Sequence, residues 1–349
     1  MVKTVRVKVD PENPPREVIE EAARVIRSGG LVAFPTETVY GLGADALNPD
    51  AVMRVFRVKG RPPDNPLIVH VADPESIYLL ASEVPRVADL LIERFWPGPL
   101  TLVLKRTEVV PPVTSAGLDT VAVRMPDHRV PLELIRSAGT PIAAPSANKS
   151  GSPSPTTADH VMMDLEGVVE LVLDGGPTEI GVESTVLDVT VYPPEVLRPG
   201  GLSVEEIERV VGRVRVPGWA RGLEKYTSRP RSPGMKYRHY APKARLILVE
   251  GSPQAVYSKV QELVKELYGT GTKVGVLTTD GKRYENATTV DLGPSRDLRT
   301  VAKSLFCSIR ALDESGVDVI IAESVEEKGI GLAIMNRLRK ASGGEIVSV

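Results

Sequence analysis

Two spacings of hydrophobic residues alternate along the chain, one typical of helices and one typical of buried strands. Apolar residues recur about every 3.6 positions over 15–28, and the pair Gly29-Gly30 follows, so a helix ending at these glycines is predicted. Short apolar runs at 31–34 and 66–71 predict buried strands. The same reasoning predicts helices near 49–58, 74–81, 84–95, 130–138, 157–165 and 203–211, and strands at 100–105, 120–125, 141–144, 168–173, 184–189 and 195–198. This mixture predicts an α+β or α/β sheet domain.

The pattern becomes more regular after residue 244. Predicted strands at 245–250, 273–279, 289–292 and 317–322 are accompanied by predicted helices at 253–268, 297–315 and 330–342. Apolar strands separated by helices favour a parallel, three-layer, Rossmann-like sheet. The sequence therefore predicts an N-terminal domain (1–216) with a twisted mixed sheet and flanking helices. A basic linker (217–244) and a smaller C-terminal α/β domain (245–349) are predicted to follow it.

The composition mainly excludes certain classes of protein and certain structural features. The chain has 349 residues, of which 42% are hydrophobic and 25% are charged, and its net charge is −2, as in ordinary globular proteins. Stable nucleic-acid binding is not expected of a near-neutral chain. The single cysteine, Cys307, excludes an intramolecular disulfide. Residues 1–6 alternate like a strand and lack the apolar core of a signal peptide, and no apolar run approaches the length of a membrane span. A cytoplasmic location without a membrane partner is therefore predicted.

The segment between the two predicted domains is rich in cations and aromatic rings. From Arg221 to Arg245 there are eight Lys or Arg residues and a single acid, Glu224. Within it, Ser232–Pro242 contains two tyrosines, a histidine and two cations, bracketed by prolines. Cations suit phosphate groups, and aromatic faces suit stacking against rings. Two interpretations stay open: a solvated basic hinge, or a segment that binds an anionic, ring-bearing ligand.

Polar clusters stand at the ends of several predicted elements. The stretch 35–43 follows the first buried strand and offers hydroxyl groups and glycines to a small polar ligand, although a Ser/Thr turn is the alternative. Lys59 and Arg61 end a helix with one glycine between them, where they suit a phosphate clamp or simply complement the helix dipole. Arg124 alternates with apolar neighbours at a strand end, where it suits a carboxylate.

Three further clusters have the small donors that an anion-binding loop needs. Residues 145–154 follow a predicted buried strand and contain several serines and an asparagine. Residues 181–185 precede another strand, and residues 198–201 end one. The sequence contains neither a G-x-G-x-x-G motif nor a Walker A motif, so these loops are the candidates for binding nucleotide phosphates.

In combination, these motifs resemble those of the YrdC-like domain family. Lys59-Gly60-Arg61 is similar to the family's K-x-R pattern, and Ser146-Ala147-Asn148 is similar to its S-x-N pattern. The stretch 35–42 and the segment Ser232–Pro242 also look like family signatures. With a second domain behind its linker, the chain resembles the long, two-domain threonylcarbamoyl-AMP synthases over essentially its full length.

The resemblance implies a nucleotidyltransferase that converts L-threonine, bicarbonate (or CO2) and ATP into threonylcarbamoyl-AMP and pyrophosphate. The product would serve threonylcarbamoyladenosine biosynthesis beside the anticodon of tRNA, which implies a downstream tRNA-modifying complex as a partner. Mg²⁺ is expected with ATP, held by phosphates and water, and no protein metal site is expected. No covalent enzyme intermediate is needed, so positioning and electrostatic stabilisation would carry the reaction.

The motif match also implies roles for individual residues. Those that would hold phosphates and the developing charge are Lys59, Arg61, Ser146 and Asn148. Those that would contact ATP are Arg61, Asn65, Thr120, Ser146, Ser154, Arg198 and Tyr237. Those that would surround threonine are Thr38, His70, Ala144 (through its backbone), Ser184 and, at the carboxylate, Arg124. Glu37 and Glu183 are expected to support these residues or to cap an element, and Lys236 with Tyr237 to fold over the cleft as a lid that excludes water.

Two other functions are compatible with the sequence. YrdC-like domains in hydrogenase-maturation proteins form a carbamoyl-adenylate instead, but they accompany a cysteine-rich zinc finger, which a single cysteine cannot build. A non-enzymatic RNA-binding module would use the basic segment from Arg221 to Arg245. Its affinity would fall steeply with salt, because it would depend on neutralising phosphates.

Overall fold

A computed structural model describes residues 2–235 and 239–349 of the chain. Within these residues the larger of two sheets has ten strands. They are β1 (Val5–Lys8), β2 (Val32–Phe34), β3 (Gly41–Asp45), β4 (Ile68–His70), β5 (Leu100–Lys105), β6 (Thr120–Arg124), β7 (Ile142–Ala143), β8 (Leu171–Asp174), β9 (Thr185–Asp188) and β10 (Glu195–Arg198). They lie in the order β1-β8-β2-β3-β7-β4-β6-β5-β9-β10, with parallel and antiparallel pairs mixed.

The helices between residues 16 and 221 pack on both faces of this sheet. They are α1 (Arg16–Arg27), α2 (Pro49–Lys59), α3 (Ile77–Leu80), α4 (Arg86–Phe95), α5 (Arg129–Ala138), α6 (Ala158–Leu165), α7 (Val204–Val211) and the single turn α8 (Gly218–Arg221). Helices α2, α3, α4, α6 and α7 cover one face, where they pack against residues such as Val69, Leu102 and Val123. In the described part of the chain, no helix is long and apolar enough to span a bilayer.

The opposite face of the sheet is shared between two helices and the linker. Helices α1 and α5 cover the part formed by β2, β7 and β8. Over β4, β5 and β6 the covering comes from the linker region instead: Ile68, Val103 and Ala122 form a cluster with Met235 and Trp219. Trp219 and Met235 therefore pack against the sheet, whereas residues 223–225 and 227–229 are exposed. Within the described linker, the solvated-hinge interpretation fits only this exposed stretch.

The second sheet is parallel throughout its five described strands. Its elements are β11 (Arg245–Glu250), α9 (Pro253–Gly269), β12 (Val274–Thr278), β13 (Ala287–Asp291), α10 (Leu298–Glu314), β14 (Val319–Glu323), α11 (Gly331–Ser342) and β15 (Ile346–Ser348). The strand order is β13-β12-β14-β11-β15, with α9 on one face and α10 and α11 on the other. The cluster under α10 and α11 also contains Val39, Val182 and Tyr240, so these two helices face the first domain.

The predicted fold class, a mixed sheet with flanking helices followed by a smaller parallel α/β domain, is confirmed. Three described elements escaped prediction: β3, α8 and β15. The β3 sequence Gly-Leu-Gly-Ala-Asp has two glycines and no β-branched residue, so it is typical of a loop rather than a strand. The other two are only four and three residues long. The helix predicted over 74–81 divides into a 3₁₀ turn (Pro74–Ser76) and α3.

One ion-pair cluster ties the linker to the edge of the larger sheet. The guanidinium of Arg231 contacts the carboxylates of Asp188 and Glu195, whose side chains are only 1% and 3% exposed. Glu195 has a second partner in Arg215. Because buried carboxylates need a counter-charge or hydrogen bonds, Arg231 holds the linker at this position.

Replacing Arg231 with alanine is expected to lower the free energy of unfolding by about 1–3 kcal/mol, because buried acceptors lose their partner. Urea unfolding followed by circular dichroism would measure the change. The control is Arg245→Ala, which removes a surface pair with Glu345 (side chains 57% and 44% exposed) and should cost less than about 1 kcal/mol. Equal losses in the two variants would show that the Arg231 cluster does not stabilise the linker.

Candidate active site

A polar cavity lies between the larger sheet and the linker. Its free volume is about 60 Å³. The predicted site residues that line it are Thr38, Arg61, His70, Arg124, Ala144, Ser146, Ser184 and Arg198. A larger groove of about 500 Å³ lies against α4 and α7, but its lining is mainly apolar. The clustered charge therefore makes the smaller cavity the candidate active site.

Strand register brings His70 and Arg124 together in this cavity. The two residues are direct neighbours on the parallel strands β4 and β6. Their alternating neighbours Val69 and Val123 face the helices on the other side of the sheet. The side chains of His70 and Arg124 therefore lie on the face that the linker covers, as the alternation around Arg124 predicted.

Arg124 is buried beside a carboxylate. Its Nη2 lies 2.6 Å from Oε2 of Glu37, and both side chains are 5% exposed. Its Nε donates a hydrogen bond to the carbonyl of Gly98 at 3.3 Å. Glu37 thus balances the charge of Arg124, and a second carboxylate entering the cavity would share the same planar guanidinium.

His70 is held in its neutral form. Burial, and then the neighbouring Arg124, lower the pKa of His70 to about 3. A neutral imidazole can donate from one ring nitrogen and accept at the other, so His70 can orient a polar ligand without adding a charge.

Helix α2, which ends at Lys59 and is followed by Gly60 and Arg61, has a well-defined start and end. The side chain of Asn48 caps the start by accepting hydrogen bonds from the backbone of Asp50 and Ala51. Gly60 ends the helix at φ 61°, in the left-handed conformation that glycine adopts without steric cost. The turn at Gly60 separates Lys59 from Arg61, and of the two cations Arg61 lines the cavity.

Lys59 joins the K-x-R turn to the S-x-N loop. Its Nζ donates hydrogen bonds to the carbonyl of Ser146 at 2.5 Å and to the carbonyl of Asn148. Burial, and then the charge of Arg61, lower the pKa of Lys59 well below its usual value. Arg61 Nη2 donates to the carbonyls of Asn65 and Pro66, both at 3.1 Å. The two motifs that the sequence separates by more than eighty residues therefore form one positively charged wall.

Glu183 lines the cavity and is held there by a residue of the second domain. Its Oε1 accepts a hydrogen bond from Ser154 Oγ at 2.5 Å, and its Oε2 accepts one from Arg337 Nε at 2.8 Å. Burial alone would raise the pKa of Glu183, but Arg337 and Arg198 outweigh burial and hold the pKa below its usual value. Arg198 donates to the carbonyl of Ser184 at 3.0 Å and to its hydroxyl at 3.2 Å.

Residues from the second half of the linker complete the cavity lining. Pro233, Gly234, His239 and Tyr240 all contribute to it. Burial, and then Arg61, lower the pKa of His239 well below its usual value, so this ring is neutral as well. Tyr240 has a φ of 65°, a left-handed conformation that is uncommon for a residue with a side chain.

Five predicted residues do not line the cavity (Lys59, Asn65, Thr120, Asn148 and Ser154), and a sixth lies outside the described residues. Asn65, Asn148 and Ser154 stand behind the lining, within one hydrogen bond of residues already described. Thr120 lies at the far end of β6, four residues from Arg124. Tyr237, like its neighbour Lys236, falls outside the residues that the structure describes. Their proposed roles therefore remain predictions.

The structure also adds residues that the sequence reasoning did not assign to the site. His239 and Tyr240 belong to the motif Ser232–Pro242, so their chemistry was visible but their position was not. Arg337 gave no usable signal, because Arg337, Arg339 and Lys340 on a helix are typical of a solvated surface. All three are in fact largely enclosed by protein.

The families that match the chain divide it into the same two domains. A family model described as "Telomere recombination" matches residues 24–200, and a model described as "Threonylcarbamoyl-AMP synthase, C-terminal domain" matches residues 202–343. A threonylcarbamoyl-AMP synthase of Pyrococcus abyssi is 55% identical over 96% of this chain and 98% of its own length. A Bacillus subtilis protein of the same name is 51% identical over 94% of each chain.

A solved structure agrees with these matches. The crystal structure of P. abyssi Sua5 complexed with L-threonine superposes with a TM-score of 0.93 at 52% identity, covering 100% of this chain and 99% of that one. The fold and the cavity thus define a two-domain enzyme of the nucleotidyltransferase class. The chain belongs to the threonylcarbamoyl-AMP synthase family, in its long two-domain form.

The depressed pKa of His70 predicts how stability depends on pH. The pKa is about 3 in the folded protein and 6.5 ordinarily, so between these values the unfolded chain binds a proton that the folded protein does not. The stability associated with neutral His70 is complete above about pH 6.5 and is lost as the pH falls toward 3. His70→Gln cannot take up this proton and should lose less stability over that interval, as measured by urea unfolding at several pH values.

The control for this experiment is His128→Gln. His128 is only partly buried, so its removal should change the pH dependence less. A His70→Gln variant with the same pH dependence as the unmodified protein would contradict a buried, neutral His70.

Proposed function

We propose that the protein is a threonylcarbamoyl-AMP synthase that uses L-threonine, bicarbonate (or CO2) and ATP and releases pyrophosphate. One observation carries the proposal: Arg124, suited to a carboxylate, shares a buried cavity with the motifs around Lys59 and Ser146, which are suited to phosphates. An amino acid and a nucleotide would meet in this cavity. The names of the relatives, and the bound L-threonine in the P. abyssi structure, support the same assignment.

The proposed threonine subsite is built around Arg124. Its guanidinium would bind the threonine carboxylate beside the carboxylate of Glu37, which lies 2.6 Å from Arg124 Nη2. Thr38, His70, Ser184 and the backbone of Ala144 would surround the remaining polar groups of threonine. Ser184 Oγ lies 2.8 Å from Thr101 Oγ1 and is itself fixed by Arg198, so this side of the subsite is rigid.

The proposed nucleotide subsite uses the positively charged wall. Lys59, Arg61, Ser146 and Asn148 would hold phosphate oxygens and the charge that develops during transfer. Asn65, Thr120, Ser154, Arg198 and Tyr237 are the further candidates for ATP contacts. Because Lys59 is already bonded to two carbonyl groups, part of its role would be to shape the S-x-N loop around the phosphates.

The reaction itself needs no nucleophile from the protein. The threonine nitrogen forms a bond to CO2 and loses a proton, which gives a carbamate. A carbamate oxygen then bonds to the α-phosphorus of ATP while the bond from that phosphorus to the bridging oxygen breaks, and pyrophosphate leaves. The protein contributes orientation, positive charge and exclusion of water.

Mg²⁺ would arrive with ATP as part of the substrate. Among the described residues, no group of three or more His, Cys, Asp or Glu side chains is arranged to hold a metal ion. Glu37 and Glu183 lie at the cavity, but each is engaged by an arginine. Phosphate oxygens and water are therefore the expected ligands of Mg²⁺.

The cavity volume suggests that the site opens to admit its substrates. About 60 Å³ is well below the several hundred Å³ usual for a pocket that holds a ligand of this size. The lining contributed by Pro233, Gly234, His239 and Tyr240 belongs to the linker, so movement of the linker would enlarge the cavity. A cytoplasmic location and a downstream tRNA-modifying complex, both predicted from the sequence, would follow from this function.

The first test is substrate dependence. Purified protein should release pyrophosphate from ATP only when L-threonine and bicarbonate are both present, as measured with a coupled pyrophosphate assay. Reactions that lack one of the two substrates, or that contain L-serine in place of L-threonine, serve as controls. Turnover that does not depend on threonine would sink the proposal, and so would the absence of turnover in the complete mixture.

The second test concerns Arg124. Arg124→Ala should raise the KM for threonine at least about tenfold while the KM for ATP changes less than about threefold, because the lost carboxylate contact and the unpaired Glu37 both lie in the threonine subsite. Arg106→Ala is the control: Arg106 donates to the carbonyls of Thr107, Val110 and Leu118 and lies outside the cavity lining. A selective loss of ATP affinity in Arg124→Ala would place Arg124 in the nucleotide subsite instead.

A further inference from the structure

Helix α11 of the C-terminal domain presents a buried arginine to the active-site wall of the first domain. The side chain of Arg337 has no exposed surface. Its helix neighbours Ile334 and Leu338 belong to the apolar core of the second domain. A charged side chain with no access to water needs several polar partners, and those of Arg337 are mostly in the first domain and the linker.

Arg337 contacts three separate segments that border the cavity. Its Nε donates to Glu183 Oε2 and its Nη1 to the carbonyl of Pro199, both at 2.8 Å. Its guanidinium also lies over the ring of Tyr240, 5.2 Å from the ring centre. One side chain from the second domain therefore fixes the loop before β9, the turn after β10 and the end of the linker.

The partners of Arg337 lead directly to residues proposed to bind ATP. Glu183 accepts the hydroxyl hydrogen bond of Ser154 on its other oxygen, at 2.5 Å. Pro199 follows Arg198, whose guanidinium is held by the carbonyl of Ser184. Arg337 does not itself line the cavity.

Loss of the Arg337 charge would change the protonation or the side-chain orientation of Glu183. The Glu183 side chain is 8% exposed, and removal of one partner from a buried ion pair leaves an uncompensated charge. The carboxylate would then take up a proton or turn toward Arg198, the next nearest cation. The first outcome weakens the acceptor for Ser154, and the second withdraws Arg198 from the phosphates.

We propose that Arg337 is a positioning residue for the nucleotide subsite: through Glu183 and Pro199 it orients Ser154 and Arg198 toward ATP. The C-terminal domain thereby contributes to substrate binding without touching the substrate. This inference rests on the proposed function for the identity of the nucleotide, but the contacts that support it do not depend on threonine or on the reaction.

The test compares Arg337→Gln with Arg339→Gln. Arg339 lies two residues further along α11, is similarly buried, and pairs with Glu250 and Glu327 of its own domain. Its one bond to the linker goes to the carbonyl of Arg221, outside the cavity lining, so it is a matched control for the loss of a buried arginine. Arg337→Gln should raise the KM for ATP at least about tenfold and leave the KM for threonine within about twofold of the unmodified protein. Arg339→Gln should lower the melting temperature by a similar amount and leave both KM values unchanged.

Two outcomes would overturn the proposal. Equal KM values for ATP in the two variants would make Arg337 a stabilising residue only, and a parallel rise of both KM values in Arg337→Gln would indicate general loosening of the site. If Arg337→Gln does not fold, Arg337→Lys keeps the charge but loses the planar fork, and its KM for ATP should still rise at least about threefold. An unchanged KM in that variant would also overturn the proposal.

Direct binding separates this inference from the proposed function. Calorimetric titration of ATP into the full-length proteins, without threonine or bicarbonate, should show the weakened affinity in Arg337→Gln and not in Arg339→Gln. If the unmodified protein binds ATP but releases no pyrophosphate in the complete mixture, the proposed function fails while this comparison still decides the role of Arg337. Unchanged ATP affinity in Arg337→Gln would overturn the inference whatever the catalytic assay shows.

Discussion

Buried positive charge is the constraint around which this cleft is built. Lys59, Arg124, Arg198 and Arg337 all lie within protein, where an unpaired cation would cost several kcal/mol. Each has an oxygen partner close by: backbone carbonyls for Lys59 and Arg198, and a carboxylate for the other two. The cleft therefore holds its cations in place before any ligand arrives, so anions can be bound with little reorganisation.

The sheet supplies the frame for these pairs because of its mixed strand directions. The parallel pairing of β4 with β6 places His70 beside Arg124, and an isolated bridge sets Gly41 against Ser146. Side-chain alternation sends the apolar residues of the same strands to the helices on the opposite face. Since helices do not cover this part of the second face, the linker and the C-terminal domain can reach the site.

Much of the fold was predictable from the sequence because hydrophobic periodicity is local. The helix that Gly60 ends and the apolar strand before Arg124 follow from patterns of a few residues. The K-x-R and S-x-N motifs were recognisable for the same reason. Strand β3 escaped prediction because glycines are uncommon inside strands. The side chains of Phe34 and Ile142 lie so close to this backbone that they leave little room for a Cβ atom, and the sequence of β3 does not reveal these neighbours.

The candidate site was less predictable because its walls combine distant parts of the chain. Glu183 looked like a cap or a supporting acid, and only the structure shows that it lies between Ser154 and Arg337. Arg337 stands among other cations on α11, and such a run usually marks a solvated helix face. Which side of a helix meets another domain is decided by docking, and no periodicity within the helix encodes the identity of its partner.

The Glu183–Arg337 pair has a consequence for how such chains can change over generations. Its two members belong to halves that fold around separate cores, yet neither charge is tolerable without the other. A replacement at one position leaves a buried charge unpaired, so it favours a compensating replacement about 150 residues away, and the two halves of the chain are expected to change together. Exchanging a second domain between relatives would succeed where this pair is matched and would bury a lone charge where it is not.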